Sequence, residues 1–259
     1  MTITVESRSQ LGASGIPRVT AAQMAEVDRL AVDEYGIGIL QMMEQAGSHL
    51  AETVRLELGG DLSGRRVVVA TGPGNNGGGG LAAARHLVNR GAAVRVVLAR
   101  PARRSSEASR HQLATLLAMG TDCRVATYDL PDHELVAAMG SADAVVDAIV
   151  GYNLSGPPRD DVARLIGHVV EAHRPVISLD LPSGLDPDSG LVSGIAVTAA
   201  ATMTLALPKP GLTVADGPRH SGRLYLADIG LPPAVYHRLG LDVGTLFAAS
   251  RIVRVHQDR

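Results

Sequence analysis

Aromatic residues make up only 2% of this 259-residue chain, with no tryptophan and one phenylalanine. Platforms that stack nucleic-acid bases need aromatic faces, so this scarcity argues against single-stranded nucleic acid as a partner. The core must be built instead from Ala, Val, Leu and Ile. Cysteine is as scarce: Cys123 stands alone, so no internal disulfide and no thiolate metal cluster can form. A reducing, cytoplasmic setting fits that usage. Charge of one sign is also missing. The net charge of −2 gives no global attraction to nucleic acid or to an anionic membrane. No stretch approaches the ~20 apolar residues of a membrane span, and the opening MTITVESRSQLGASG lacks the pattern of a signal peptide. The nine histidines never fall into H-E-x-x-H spacing.

What is present is a 46% hydrophobic chain, enough for one large α/β domain. Its organising stretch is VVVATGPGNNGGGGLAAARHL, Val67 to Leu87. Val67 to Val69 reads as a short buried strand, six glycines fall between Gly72 and Gly80, and Leu81 to Val88 reads as a helix. A glycine-rich turn entering a helix N-terminus offers free N–H groups and a positive dipole end, which suit phosphate. GPGNNG fits the G-x-G-x-x-G dinucleotide pattern only loosely.

The rest of the chain alternates. Met1 to Pro17 reads as a loose tail, and Thr20 as the N-cap of a helix to about Tyr35 with an apolar stripe at Met24, Val27, Leu30 and Ala31. A second helix, about Ile39 to Leu58, contains MMEQAG, with Glu44 and Gln45 expected at exposed positions. Further strands are expected at Val94 to Leu98, Cys123 to Tyr128, Ala142 to Val150, Pro175 to Leu179 and Gly222 to Asp228, the last of these closing the sheet. Helices lie between them, and a basic tail, residues 250–259, ends the chain. The alternation predicts an α/β fold: a Rossmann-like three-layer αβα sandwich around a mainly parallel sheet, one domain over residues 18–249. Arg100, Arg103 and Arg104 follow the second strand either as a phosphate contact or as a solvated charge run.

Ligands in such folds sit outside the carboxyl ends of the strands. Three segments bring polar residues to that edge: Asn75–Asn76, Asp147, and Asp180 with Ser183. Each has a bland reading alone, as a turn or cap, but together they mark one shared site.

At this point the chain resembles a known family, the YjeF N-terminal domain, NAD(P)H-hydrate epimerase. The resemblance rests on ordered motifs from about Thr20 to Pro233: TAAQM, MMEQAG, GPGNNGGGGLAAARHL, VDAIVGYNLSGPPR, LDLPSGLDPDSG, LPKPG and ADIGLP. It implies a Rossmann-like homodimer that interconverts the R and S forms of nicotinamide cofactors hydrated at C6. It also implies one bound potassium ion, with NADHX or NADPHX as substrate rather than cofactor. By position, Asn75, Asn76, Gly77, Gly78 and Gly79 would bind the damaged dinucleotide. Gly151, Tyr152, Asn153, Leu154, Ser155, Gly156 and Pro157 would form a second wall. Asp180 would contact substrate, and Asn76, Asp147 and Ser183 would hold potassium. Amide, carboxylate and hydroxyl oxygens suit such a hard cation. The dehydratase fused to some members would act as a separate partner here.

Three departures from the family pattern stand near the expected pocket: Gly79 replaces an Asp, Gln45 an Asn, and Tyr152–Asn153 a Thr-Gly pair. Gly79 leaves open a weakened member that binds dinucleotide without efficient turnover. A nicotinamide-dependent oxidoreductase is the other rival, but its ribose-binding acid is missing from LARPARR at the end of the second strand. Inverting C6 requires opening its bond to nitrogen or to oxygen, and a single carboxylate could carry the proton for either route. Asp180, at a strand end before a Pro-Ser-Gly turn, is the catalytic candidate. Lys209 in LPKPG is either a phosphate contact or an exposed residue.

Overall fold

Short β-branched runs alternate with helical apolar stripes, and the chain folds accordingly. A computed structural model describes residues 10–12, 15–120, 123–126, 130–154 and 156–256. Gln10–Gly12 (β1) precedes two helices, Ala21–Asp33 (α1) and Ile39–Glu57 (α2). Thr20 caps α1 reciprocally: its hydroxyl accepts from the Gln23 N–H, and the Gln23 side chain accepts from the Thr20 N–H. The expected stripe of Met24, Val27, Leu30 and Ala31 is buried.

The alternating part then runs Arg66–Thr71 (β2), Asn75–Asn89 (α3), Ala93–Leu98 (β3), Glu107–Ala118 (α4), Cys123–Ala126 (β4), Asp132–Gly140 (α5), Ala144–Ala148 (β5), Asp160–Glu171 (α6) and Val176–Leu179 (β6). Ala201–Leu205 (β7), Gly217–Ser221 (α7), Arg223–Ala227 (β8), Pro233–His237 (α8) and Ile252–His256 (β9) complete it. The nine described strands form one sheet in the order β1-β9-β8-β7-β6-β5-β2-β3-β4, with only β8 and β9 antiparallel. Residues 127–129, where the strand from Cys123 was expected to end, lie outside the described residues.

Period-two patterning makes the three layers. Val67 and Val69 of β2 share one core with Leu50 and Val54 of α2 and with Leu81 and Leu87 of α3. Val68 and Ala70 face the other way, into a core with Leu135 and Met139 of α5 and Leu165 and Ile166 of α6. Both faces of the strand are covered, as a parallel sheet requires. The chain proceeds outward from β2 through β3 to β4, then returns to lay β5 on the other side of β2. That reversal between β2 and β5 is the crevice where open α/β sheets take ligands. Among the described residues no helix is long and apolar enough to cross a membrane.

Two expectations need correction. Part of each supposed tail is a strand of the sheet: β9, inside the supposed basic tail of residues 250–259, pairs antiparallel with β8, and β1, inside the supposed tail of residues 1–17, pairs parallel with β9. Ile252, Val253 and Val255 are buried, so β8 does not close the sheet. The physical reason is burial: in RIVRVH three β-branched residues outweigh the charges that make the segment look peripheral. The remaining tail positions 1–9, 13–14 and 257–259 lie outside the described residues.

The second correction concerns the glycine run. It is not a turn before the helix but the first turns of α3, which starts at Asn75. Gly77 to Gly80 are helical and buried, and none has a positive φ. They are needed because α3 lies too close to its neighbours for a side chain. A Cβ on Gly77 would stand 1.9 Å from the Gly72 carbonyl oxygen, and one on Gly80 would stand 2.4 Å from the Ala148 Cβ. On the facing helix, a Cβ on Gly47 would stand 2.5 Å from the Ala82 Cβ. Gly77→Ala should therefore lower stability by about 1–3 kcal/mol or more, the usual result of overpacking, even though Ala is the better helix former. Gly140→Ala, in a helix position with open space around it, should instead be neutral or stabilise by up to about 1 kcal/mol. Urea melts of the two variants check the contrast.

Candidate active site

The C-terminal ends of β2, β5 and β6 converge. Close approach starts at Gly72, where a Cβ would stand 1.8 Å from the Ile149 carbonyl oxygen, so the turns after β2 and β5 touch through backbone. Gly74 caps α3 without a side chain. The first helical N–H groups are thus left without a side-chain cap, and the dipole's positive end faces the crevice.

Asp180 follows β6 with φ 68°, a left-handed conformation that is uncommon for a side-chain-bearing residue. Such strain persists where the surroundings over-determine it, and here they do. One carboxylate oxygen accepts from the Lys209 ammonium at 2.5 Å, with longer approaches of 3.4 Å from the Thr204 hydroxyl and the Leu205 N–H. The other accepts from the Tyr152 N–H at 3.1 Å. Lys209 is wholly buried and also donates to the Leu205 carbonyl at 2.9 Å. Neither expectation for Lys209, phosphate contact or exposed residue, describes it: flanked by prolines, it is turned inward against Asp180.

Tyr152 joins this pair to α1. Its ring lies 5.8 Å from the Lys209 ammonium, and its phenol donates to Asp28 at 2.5 Å. Burial pushes the Asp28 carboxyl above its usual range, against the opposing effects of the Tyr152 hydrogen bond and the Lys209 charge. Burial, with Asp28 beside it, raises the Tyr152 phenol as well.

Asp147 and Ser183 are brought together, one layer deeper. Asp147 is fully buried, and its carboxylate accepts from the Ser178 hydroxyl at 2.8 Å, the Ser183 hydroxyl at 2.5 Å, the Ser183 N–H at 2.9 Å and the Ile149 N–H at 3.3 Å. These hydrogen-bond partners are all neutral, and burial raises its carboxyl despite them. The Ser183 hydroxyl also accepts from the Val150 N–H at 2.9 Å. Asn76 stands beside Asp180 instead. A Cβ on Gly151 would meet the Asp180 Oδ2 at 3.0 Å and the Asn76 Oδ1 at 3.1 Å, and the Asn76 amide nitrogen is buried without a hydrogen-bond partner.

Asp28, Asn76, Tyr152, Asp180 and Lys209 line a cavity of about 290 Å³ with mostly apolar walls, among them Met24, Met42, Ile149, Leu179 and Ile229, whereas Asp147 and Ser183 are not part of its lining. Of the expected substrate residues, Asn75, Asn76, Gly79, Gly151, Tyr152, Asn153 and Asp180 line it. Gly77 and Gly78 are instead packed inside α3, for the steric reason given above, and Leu154, Gly156 and Pro157 run past the cavity, the latter two exposed. Ser155 lies outside the described residues. Gln45 does not reach the cavity: it lines a shallow depression on the outer side of α2 with Glu44 and Arg85. Glu44 is half-buried rather than exposed, bonded to Arg85 and to the His86 ring nitrogen at 2.8 Å, which braces α2 on α3. Burial pushes the Cys123 thiol up to about 11, so it is no nucleophile.

Sequence reasoning missed Asp28. The signal was available, because Asp28 lies four residues after Met24 and three before Ala31, within the apolar stripe of α1. A carboxylate set into a buried stripe calls for a partner.

Comparison with known proteins places the chain in a family. Residues 39–211 match the YjeF-related protein N-terminus family. A protein of Dehalogenimonas lykanthroporepellens named NAD(P)H-hydrate epimerase is 44% identical over 93% of both chains. A Moorella thermoacetica protein named bifunctional NAD(P)H-hydrate repair enzyme Nnr is 42% identical over 83% of this chain, which spans only 40% of that relative. The crystal structure of a yeast protein, YNL200c, superposes with a TM-score of 0.78 at 25% identity, over 92% of this chain and all of the other. The chain belongs to the family of YjeF-related N-terminal domains.

Proposed function

We propose that this protein is an NAD(P)H-hydrate epimerase, an isomerase that interconverts the R and S hydrates of NADHX and NADPHX. The observation that carries the reading is the Asp180–Lys209 pair at the base of an apolar cavity, beside the open N-terminus of α3. The relatives named for this activity support it across nearly the full chain.

At about 290 Å³ the cavity has room for a hydrated nicotinamide ring. The dinucleotide's phosphates then lie toward Asn75 and Asn76, where free N–H groups and the helix dipole favour negative charge. The apolar walls exclude water from the ring, which strengthens every charge interaction inside. C6 of the ring carries a hydroxyl and the ring nitrogen, so inversion needs one of those bonds to open and reform from the other face. Asp180 is the proton carrier. Its three backbone and side-chain anchors fix its direction, and Lys209 balances its charge.

Potassium belongs to the same reading. Asp147 is a buried carboxylate whose hydrogen-bond partners are neutral, Ser183 supplies a hydroxyl oxygen, and Asn76, beside Asp180, offers its amide oxygen. That set fits a hard monovalent cation. Asn76, Asp147 and Ser183 would hold it, and it would supply the positive charge that Asp147 lacks. The family resemblance supports a homodimer, a cytoplasmic place of action and a separate NAD(P)H-hydrate dehydratase working with this enzyme. A member that binds without turnover is not favoured. Gly79 packs against Leu179 and Ala46, and its missing carboxylate leaves Asp180 and Asp147 fully bonded.

Two outcomes test this reading. Asp180→Asn should lower the epimerisation rate by about 10²–10⁴-fold and also destabilise the fold, because Lys209 is left as a buried unpaired charge, by about 3–5 kcal/mol. The double variant Asp180→Asn with Lys209→Met should recover most of that stability and none of the rate, as read by thermal melts beside an R-to-S assay. Potassium should raise the melting temperature relative to tetramethylammonium at equal ionic strength, since a ligand that binds only the folded state stabilises it. Asp147→Asn should abolish that difference.

A further inference from the structure

We propose that Asp28 is a second acid–base residue of this reaction, giving a proton to the C6 hydroxyl as it departs while Asp180 takes one from the water that adds on the other face. The proposal rests on the epimerase reading and goes beyond it by choosing which bond breaks.

Asp28, Tyr152, Asp180 and Lys209 all line the one cavity. The two carboxyl groups sit at opposite ends of the same tyrosine: Asp180 accepts from the Tyr152 backbone N–H and Asp28 from its phenol. Both carboxyl residues, and the tyrosine that bridges them, line the same cavity, so a ring held there has a carboxyl group on either side of Tyr152 within its walls. Two carboxyl groups set apart across a reacting carbon, one as acid and one as base, suit replacement of one oxygen by another with inversion. Their surroundings also differ. Asp180 is ion-paired with Lys209. Asp28 accepts instead from the neutral Tyr152 phenol; burial and the Asp180 charge raise its carboxyl, while the Tyr152 bond and Lys209 oppose them.

The step balances. The C6–O bond breaks with both electrons staying on oxygen, which takes the Asp28 proton and leaves as water. The ring nitrogen's lone pair closes a C6=N bond. Water then adds from the opposite face, its lone pair forming the new C6–O bond as the C=N pair returns to nitrogen. The surplus proton goes to Asp180. One proton has moved from Asp28 to Asp180; the reverse inversion moves it back, and exchange with solvent resets the pair between turnovers in one direction.

The groups facing Asp28 are the Tyr152 phenol, Lys209 and Asp180 across the cavity, and Tyr236 of α8. Because Asp28 must carry its proton, the rate should fall as pH rises through its raised pKa. In Asp28→Asn the rate should drop about 10²-fold and that fall should vanish. In Tyr152→Phe the phenol no longer favours the charged form, so the fall should move to higher pH. A wild-type reaction in ¹⁸O-water, started from the pure R hydrate, should place one solvent oxygen at C6 in each S product, beyond spontaneous exchange. Retention of the original oxygen would overturn the proposal, as would an Asp28→Asn protein with wild-type rate and pH profile. A wild-type protein that does not epimerise at all would overturn the functional reading, and this inference with it.

Discussion

The ion pair between Asp180 and Lys209 is the constraint on which the site depends. Two charges taken out of water lose several kcal/mol of solvation each, and only close pairing and further hydrogen bonds offset the loss. Both residues receive them. Lys209 reaches past the end of β7 to the Leu205 carbonyl, and Asp180 collects donors from Tyr152, Thr204 and Leu205. The backbone bends to make this possible. Asp180 after β6 and Ala206 after β7 both take left-handed φ values, 68° and 62°. Two neighbouring strands thus end in matched turns that bring the lysine and the carboxylate face to face.

The glycines serve the same end from the other side of the crevice. Their contribution is proximity more than freedom of φ. By removing side chains where α3 meets β2, β5 and α2, they bring the start of α3 down onto the turn after β5. Asn76 then lies beside Asp180, and Gly151 passes between them with no room to spare. The site is a product of close packing among three strand ends, which explains why it occupies the reversal between β2 and β5.

Much of this was legible in the sequence. Strand and helix periods gave the layers, and the motifs led to Asp180, Asn76, Asp147 and Ser183. What stayed hidden has physical causes. Lys209 looked like a surface residue because lysine is almost never fully buried; only the turn of PKPG against Asp180 reveals otherwise. Asp28 was passed over because its partner, Tyr152, lies 124 residues away in sequence. Segment 252–256 looks peripheral by its charges, while its buried β-branched Ile252, Val253 and Val255 make it a strand. The glycines were read through conformational freedom when their neighbours were the reason.

The role proposed for this cavity is inversion of C6 of a hydrated nicotinamide ring. Its most direct measurement starts from pure R hydrate of NADPH, with chromatographic separation of the two epimers over time. The S hydrate should appear faster with enzyme than without, and both reactions should reach the same final ratio. Identical time courses with and without a folded protein would contradict it.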